Sequence, residues 1–398
     1  MIPRQEYLDF LVNSKDKQII KVISGVRRCG KSTMLELFVD YLLNNGIHQN
    51  QIISINFEDI DFEHLTNYRT LYDNIKGRLL PDKMNYIFLD EIQHVENFEK
   101  AVDSLFIRKN VDLYITGSNA YFMSGELATL LSGRYIEVCM LPLSFREYCI
   151  GTSKTLSLPE KYRRYIENSS FPYTLKYDSN EKETREYLSS LYNTVLLKDI
   201  VTRHNISDVM MLERVVKFVF DNIGNQLSVS KIANTMASSG RKIDPKTVEK
   251  YVKALMDSLM IYQAKRYNIK GKQYLKTLEK YYVVDIGLRY ALLGKRNIDI
   301  GHILENVVYL ELLRRGYDVY VGFINDAEVD FVAMNEDGIS YYQVAASVRD
   351  EGTLARELNS LKRILDHYPK FVLSLDDDPI ADYDGIKRIN ALDWLIGK

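Results

Sequence analysis

The octapeptide "GVRRCGKS", Gly25 to Ser32, constrains the fold more than any other stretch of this 398-residue chain. It satisfies the spacing G-x-x-x-x-G-K-[ST] without exception, and its flanks matter more than its spelling. Before it, "KQIIKVIS" reads as a buried strand. After it, "KSTMLELFVDYLL" sets Met34, Leu35, Phe38, Tyr41 and Leu42 on one helical face. Strand, glycine loop and helix in that order make a cradle for an anion. Gly25 and Gly30 let backbone N–H groups turn inward, and the helix N-terminus adds partial positive charge. Lys31 is expected to reach the β- and γ-phosphates of a nucleotide and Ser32 to ligate Mg²⁺, with Arg28, Cys29 and Thr33 completing the contact surface.

About sixty residues on, "NYIFLDEIQ" delivers Asp90 and Glu91 to the end of a buried strand, the edge at which open α/β sheets bind ligands. Asp90 suits the outer shell of the Mg²⁺ ion. Glu91 suits a base that orients and activates the attacking water. A further strand, "QIISINFED", lies between the two motifs, and another, "DLYITGSNA", follows a helix-like stretch from Glu96 to Ile107. This makes room for a sheet in which the strand of Asp90 is separated from that of the loop. Thr116, Ser118 and Asn119 close the later strand and can face the γ-phosphate or the water, although "TGSN" also suits a plain turn. Arg134, before the strand of "RYIEVCM", is a candidate transition-state clamp in its own chain or for a neighbouring subunit, with a solvated surface arginine as the alternative.

Taken together, "GVRRCGKST", "YIFLDEIQ", "YITGSNA", "LSGRY" and "LPLSFREY" resemble the ATP-binding core of an AAA-type ATPase family of bacteria and archaea whose members carry a C-terminal domain of unknown function. The likeness continues through "SSLYNTVLLKDIVTRHNI" and "EVDFV". It implies an α/β fold with a P-loop NTPase parallel-sheet core, ATP or ADP as ligand, and ATP hydrolysis.

Composition excludes several classes. Charged residues make up 27% of the chain yet the formal net charge is -2, so any surface for nucleic acid must be local. Three cysteines, Cys29, Cys139 and Cys149, lack metal-ligand spacing and point to a reducing compartment. No signal peptide or spanning apolar run is read, and the expected location is the cytoplasm, with no membrane partner.

Four parts are expected: the ATPase core at 1–150, a helical lid and connector at 151–221, a winged helix-turn-helix at 222–295 and a restriction-endonuclease-like domain at 296–398. In the second part "TREYLSSLYNTVLLKDIVTRHN" reads as one long amphipathic helix. In the third, "LSVSKIANTMASS" and "IDPKTVEKYVKALMDSLM" give two helices, the second with Asp244 as N-cap and Pro245 at its first position. Val248, Val252, Leu255 and Leu259 form its buried stripe, opposite Lys246, Lys250 and Lys253. The wing, "MIYQAKRYNIKGKQYLK", carries Lys265, Arg266, Lys270, Lys272 and Lys276. These lysines and the arginine are candidate DNA contacts, against an equally weighted role in protein packing, including self-association.

The order of elements after Asn297 is αβββαβ, which resembles the restriction-endonuclease core. In that fold a helix acid and two strand acids gather metal while a lysine assists water. With "NEDG" as a turn, Met334 faces Ile339 and Asp330 faces Gln343, while Ala345 stands where the lysine is wanted. Glu305 and Asp330 remain as possible ligands and Gln343 brings no charge, so the expectation is a vestigial site in a domain that no longer cuts. A metal-dependent nuclease coupled to ATP, and a nonhydrolysing nucleotide-gated module, remain as alternatives.

Overall fold

β1 (Ile20–Gly25) is buried along its whole length, as a strand covered by helices on both faces must be. It belongs to a sheet of five parallel strands with β2 (Ile52–Asn56), β3 (Asn85–Asp90), β4 (Val111–Thr116) and β5 (Tyr135–Met140), in the order β2-β3-β4-β1-β5. β4 thus separates β3 from β1, as the sequence anticipates for the strands of the two motifs. Ile20, Val22, Ile87, Leu89, Leu113 and Ile115 join one apolar core with side chains from α3 (Tyr68–Arg78) and α4 (Phe98–Phe106). α1 (Gln5–Ser14) precedes the sheet and α2 (Lys31–Asn44) leaves the loop after β1, burying Met34, Leu35, Phe38 and Leu42. Tyr41, expected on the same face, is half-buried.

The computed structural model describes residues 2–117, 131, 133–177, 180–238, 240–295 and 300–398. Contacts divide the chain into two units, Met1–Pro142 with Asp257–Leu259, and Leu143–Met256 with Met260–Lys398. Within the second, the run expected as one long helix is divided. α-Helix Glu181–Ser190 passes into a π-helical segment, Leu191–Leu197, before Lys198–Arg203 resumes the α form. Thr194 donates its hydroxyl to the Ser190 carbonyl at 2.6 Å, a bond that competes with the regular ladder at this junction.

The helices Val209–Asp221, Val229–Ser238 and Pro245–Asp257 follow, then β7 (Ile261–Asn268) and β8 (Gln273–Val283), with the short β6 (Gln226–Leu227) paired to β8. The expected boundary at 295/296 crosses a single sheet. β7 pairs in parallel with β9 (Asp318–Ile324), which continues through β10 (Ala327–Asn335), β11 (Gly338–Ala345), β12 (Lys370–Ser374), β13 (Ala381–Tyr383) and β14 (Ile386–Asn390). The order is β13-β14-β12-β11-β10-β9-β7-β8-β6. Helices Ile300–Arg314 and Glu351–Lys362 complete the αβββαβ succession. Met334 does lie opposite Ile339, and the β10–β11 register runs on to Phe331 opposite Tyr342. Among the described residues no helix is long and apolar enough to cross a membrane.

Candidate nucleotide site and the C-terminal polar centre

The C-terminal ends of β1, β3 and β4 bring the first site together. Gly25 has φ +152°, and a Cβ there would stand 2.4 Å from the Met140 carbonyl oxygen, so the loop leaves β1 along a path only glycine permits. Gly30, at φ 105°, opens α2. Lys31 is 4% exposed; its Nζ lies 3.3 Å from the Gly25 carbonyl and 3.3 Å from Glu91 Oε1. Arg28 and Thr33 are exposed, whereas Cys29 is buried under the loop, and burial pushes its thiol pKa up.

Asp90 accepts hydrogen bonds from the hydroxyls of Ser32 and Thr116. Burial raises its pKa against the pull of those bonds. Thr116 also accepts the Glu91 N–H at 3.0 Å, so one buried hydroxyl at the end of β4 fixes both acids at the end of β3. Glu91 has left-handed backbone (φ 55°, ψ 48°), a conformation disfavoured for a side-chain-bearing residue and common where a site dictates the chain path. Burial opposes its charge, but the Lys31 ammonium and the Gln93 amide, which donates at 2.5 Å, prevail and lower its pKa. Ser32 and Asp90 offer adjacent oxygen donors, a set that fits Mg²⁺. Glu58, Glu91 and His94 also place a ligand atom each within 4.8 Å of one another.

Asn119 lies outside the described residues. Arg134 lies at the far end of its strand from the loop. It immediately precedes β5, whose Tyr135 pairs with Ile20 at the start of β1, while Gly25 pairs with Met140 at the other end. Five residues of strand, roughly 16 Å, therefore separate Arg134 from the loop edge. Its guanidinium lies 3.6 Å from Asp103 and over the Phe106 ring, away from the Gly25–Ser32 loop of its own chain.

In the C-terminal sheet, Glu305, Asp330 and Gln343 come together as expected, with partners that the motif did not announce. The β9–β10 register shifts between Val329 and Val332, a bulge that re-aims Asp330. Gln343 Oε1 accepts the Asp330 N–H at 2.7 Å, its Nε2 donates to Glu357 at 2.6 Å, and Asp330 accepts the Val344 N–H at 2.8 Å. The ammonium that Ala345 cannot supply is present from elsewhere. Lys280 of β8 places Nζ 2.8 Å from Glu305, 2.7 Å from Glu328 and 3.9 Å from Asp330. Tyr282 donates to Glu305 at 2.6 Å and Gln226 to Glu328 at 2.6 Å. Burial opposes the charge on Lys280, but the three carboxylates hold its pKa far above the usual value. Glu305 is brought down to about 2, the Lys280 ammonium outweighing burial, whereas burial and then the Glu305 charge push Asp330 well up.

Lys246, Lys250 and Lys253 are exposed along helix Pro245–Asp257, whose other face buries Val248, Val252 and Leu255. Asp244 accepts the Lys246 N–H at 2.8 Å at the helix start. Lys265, Lys270 and Lys272 are exposed on the β7–β8 hairpin; Arg266 is half-buried over the Phe323 ring. Tyr274, 60% exposed, packs against Tyr267 and Tyr320 with ring centroids at 5.5 and 5.2 Å.

Residues 17–149 match a family described as an AAA domain, and residues 159–299 match a domain of unknown function, DUF8612. An uncharacterized protein of Haemophilus influenzae is 39% identical over 400 residues, spanning 100% of this chain and 99% of that protein. Another, of Methanocaldococcus jannaschii, is 31% identical over 335 residues, 80% and 73% of the two chains. Among solved structures, a Walker-type ATPase of Pyrococcus abyssi aligns over 73% of this chain and 96% of its own, with a TM-score of 0.49 and 16% identity. The Aeropyrum pernix ORC1 protein, solved in complex with DNA, aligns over 73% and 92% with a TM-score of 0.33 and 11% identity.

Proposed function

Because the chain belongs to a family of AAA-type P-loop ATPases, we propose that it is a cytoplasmic enzyme that binds ATP with Mg²⁺ and hydrolyses it. The observation that carries this reading is the convergence of Lys31, Ser32, Asp90, Glu91 and Thr116 on one edge of the parallel sheet. Loop amides and Lys31 hold the phosphates, Ser32 and Asp90 hold the ion, and Glu91 orients the water and takes its proton. The ion, when bound, neutralises charge on the phosphate oxygens. A phosphate that takes Lys31 releases Glu91 from its pair, so nucleotide entry itself frees the base.

Nucleotide state would then reposition the winged helix and the nuclease-like region. Exposed Lys246, Lys250, Lys253, Lys265, Lys270 and Lys272, with Tyr274 exposed on the same hairpin as the last three, support DNA as the partner. The nuclease-like centre is read as non-cutting, since Lys280 already neutralises its acids and both ends of the Gln343 amide are engaged.

The experiment is ATP turnover and nucleotide binding by the purified chain and two variants. Lys31→Ala is expected to lose nucleotide binding. Glu91→Gln is expected to bind ATP and turn it over at least about a hundredfold more slowly. Turnover unchanged in either would refute the assignment, and wild-type binding without turnover would favour a nucleotide-gated module instead.

A further inference from the structure

A buried cation stands against the Gly25–Ser32 loop. Arg4, just before α1, is 4% exposed. Its Nη1 donates to the carbonyl oxygen of Cys29, a residue of the glycine loop, at 3.1 Å. Its Nη2 donates to the carbonyl oxygens of Leu141 at 2.7 Å and Pro142 at 3.3 Å, where the chain leaves β5. The guanidinium lies over the ring of Tyr7, 4.9 Å from its centroid, and the Tyr7 hydroxyl accepts the Leu141 N–H at 3.1 Å. Withdrawing a guanidinium from water is costly unless its donors are used, and here they are directed at backbone carbonyls.

The Cys29 carbonyl is not an arbitrary acceptor. It shares a peptide unit with the Gly30 N–H, and in a trans peptide the two groups point in opposite directions. No cis peptide is present among the described residues. Holding the oxygen against Arg4 therefore turns the Gly30 N–H away from Arg4. Gly30 is the residue least able to do this unaided, since its left-handed backbone (φ 105°, ψ 24°) carries no side chain to restrict rotation of that peptide. The other two carbonyls tie the same cation to the end of β5, beside Met140, whose own oxygen abuts Gly25. Arg4 thus ties the glycine loop to the chain that leaves β5.

We propose that Arg4 is a positioning residue for nucleotide: through Cys29 it sets the Cys29–Gly30 peptide so that the Gly30 N–H faces the phosphate. This rests on the reading of Gly25–Ser32 as the phosphate-binding loop. An arginine that only anchors α1 would affect stability and leave affinity alone, so affinity is the measurement. ADP and ATP binding by the full chain, followed by calorimetry with Mg²⁺ present, is compared for wild type, Arg4→Gln, Arg4→Lys, Tyr7→Phe and Lys31→Ala, with thermal unfolding of each. Arg4→Gln and Arg4→Lys are expected to raise both dissociation constants by about tenfold or more, because neither a neutral amide nor a single ammonium spans the three carbonyls. Tyr7→Phe, which removes the neighbouring bond to Leu141, is expected to lower the unfolding temperature with affinity within about twofold of wild type. At saturating ATP the kcat of Arg4→Lys should match wild type while its KM rises. Wild-type affinity in Arg4→Lys, or in Arg4→Gln if it folds, alongside lost binding in Lys31→Ala would overturn the role of Arg4 and leave the site standing. Undiminished binding in Lys31→Ala would overturn the site itself.

Discussion

Glu91 is held in a conformation that its own backbone disfavours, and its carboxylate is shared between Lys31 and Gln93. In that arrangement Glu91 and Lys31 neutralise one another, so under the proposed function an incoming phosphate must compete with a carboxylate 3.3 Å from the same ammonium. Removing the charge of the competitor should therefore tighten ground-state binding. Glu91→Gln is expected to bind ATP several-fold more tightly than wild type, read by titration with Mg²⁺ present. Weaker binding would mean that the pair does not hold Lys31 back. The same pairing supplies a pH effect. Because the Lys31 ammonium keeps Glu91 below its ordinary range despite burial, its stabilising contribution is complete above about 4.5 and is lost only as pH falls through the depressed value. Glu91 accordingly stays ionised throughout the neutral range.

At the scale of elements, β8, β10, β11 and helix Ile300–Arg314 deliver one polar centre whose members pull in opposite directions. Lys280 is a cation shared by buried Glu305 and half-buried Glu328, and its loss would leave the Glu305 carboxylate buried beside a second acid without that ammonium. Lys280→Met is expected to destabilise the second unit by about 3–5 kcal/mol, the usual consequence of breaking a buried pair from one side. Asp330 behaves otherwise. Its carboxyl is held well above 3.8 by burial and by the Glu305 charge, so the ionised form is a burden at neutral pH. Asp330→Asn keeps an acceptor for the Val344 N–H and should stabilise by about 1 kcal/mol at pH 7. The sign reverses the usual acid case: the folded state holds this proton more tightly, so wild type gains stability as pH falls toward 3.8 and the difference between the two proteins narrows. Glu305, at about 2 in the fold, changes nothing in this comparison above about 4.5. Trp394 is the only tryptophan and packs on Tyr342 in this unit, so its fluorescence in urea reads both variants. A destabilised Asp330→Asn at pH 7 would show that the carboxylate is well paired. Local pattern made the hairpin and the positions of Glu305, Asp330 and Gln343 legible, because a turn fixes register and register fixes the facing residues. Lys280 was not legible: it stands 25 residues from Glu305 and 50 from Asp330, and only the pairing of β7 with β9 brings β8 alongside. Glu357 arrives in the same way, from a helix across the sheet.

For the whole molecule, the motif strands Ile20–Gly25 and Asn85–Asp90 were legible because each is a short apolar run ending in a residue of its motif. The placement of Arg134 was not, since a residue before a strand reaches the ligand edge or the opposite edge according to strand direction, which no local pattern states. Charge is the other property that only the whole molecule reveals. A chain with net charge -2 has no general attraction for a polyanion, so binding to duplex DNA would have to come from the lysines exposed on helix Pro245–Asp257 and on the β7–β8 hairpin. Each lysine that neutralises a phosphate releases counterions and steepens the fall of affinity with salt by about 0.9 in a log–log plot. Lys250→Ala and Lys272→Ala are therefore each expected to lower the slope by about 1, and the double variant by about 2, with ATP turnover in the absence of DNA unchanged. Lys362→Ala removes an exposed lysine at 2.9 Å from Asp384, and its slope should equal that of wild type. If all three single variants reduce the slope alike, the attraction is diffuse and belongs to no particular face; if wild type fails to shift duplex DNA even at low salt, the exposed lysines serve a protein partner instead.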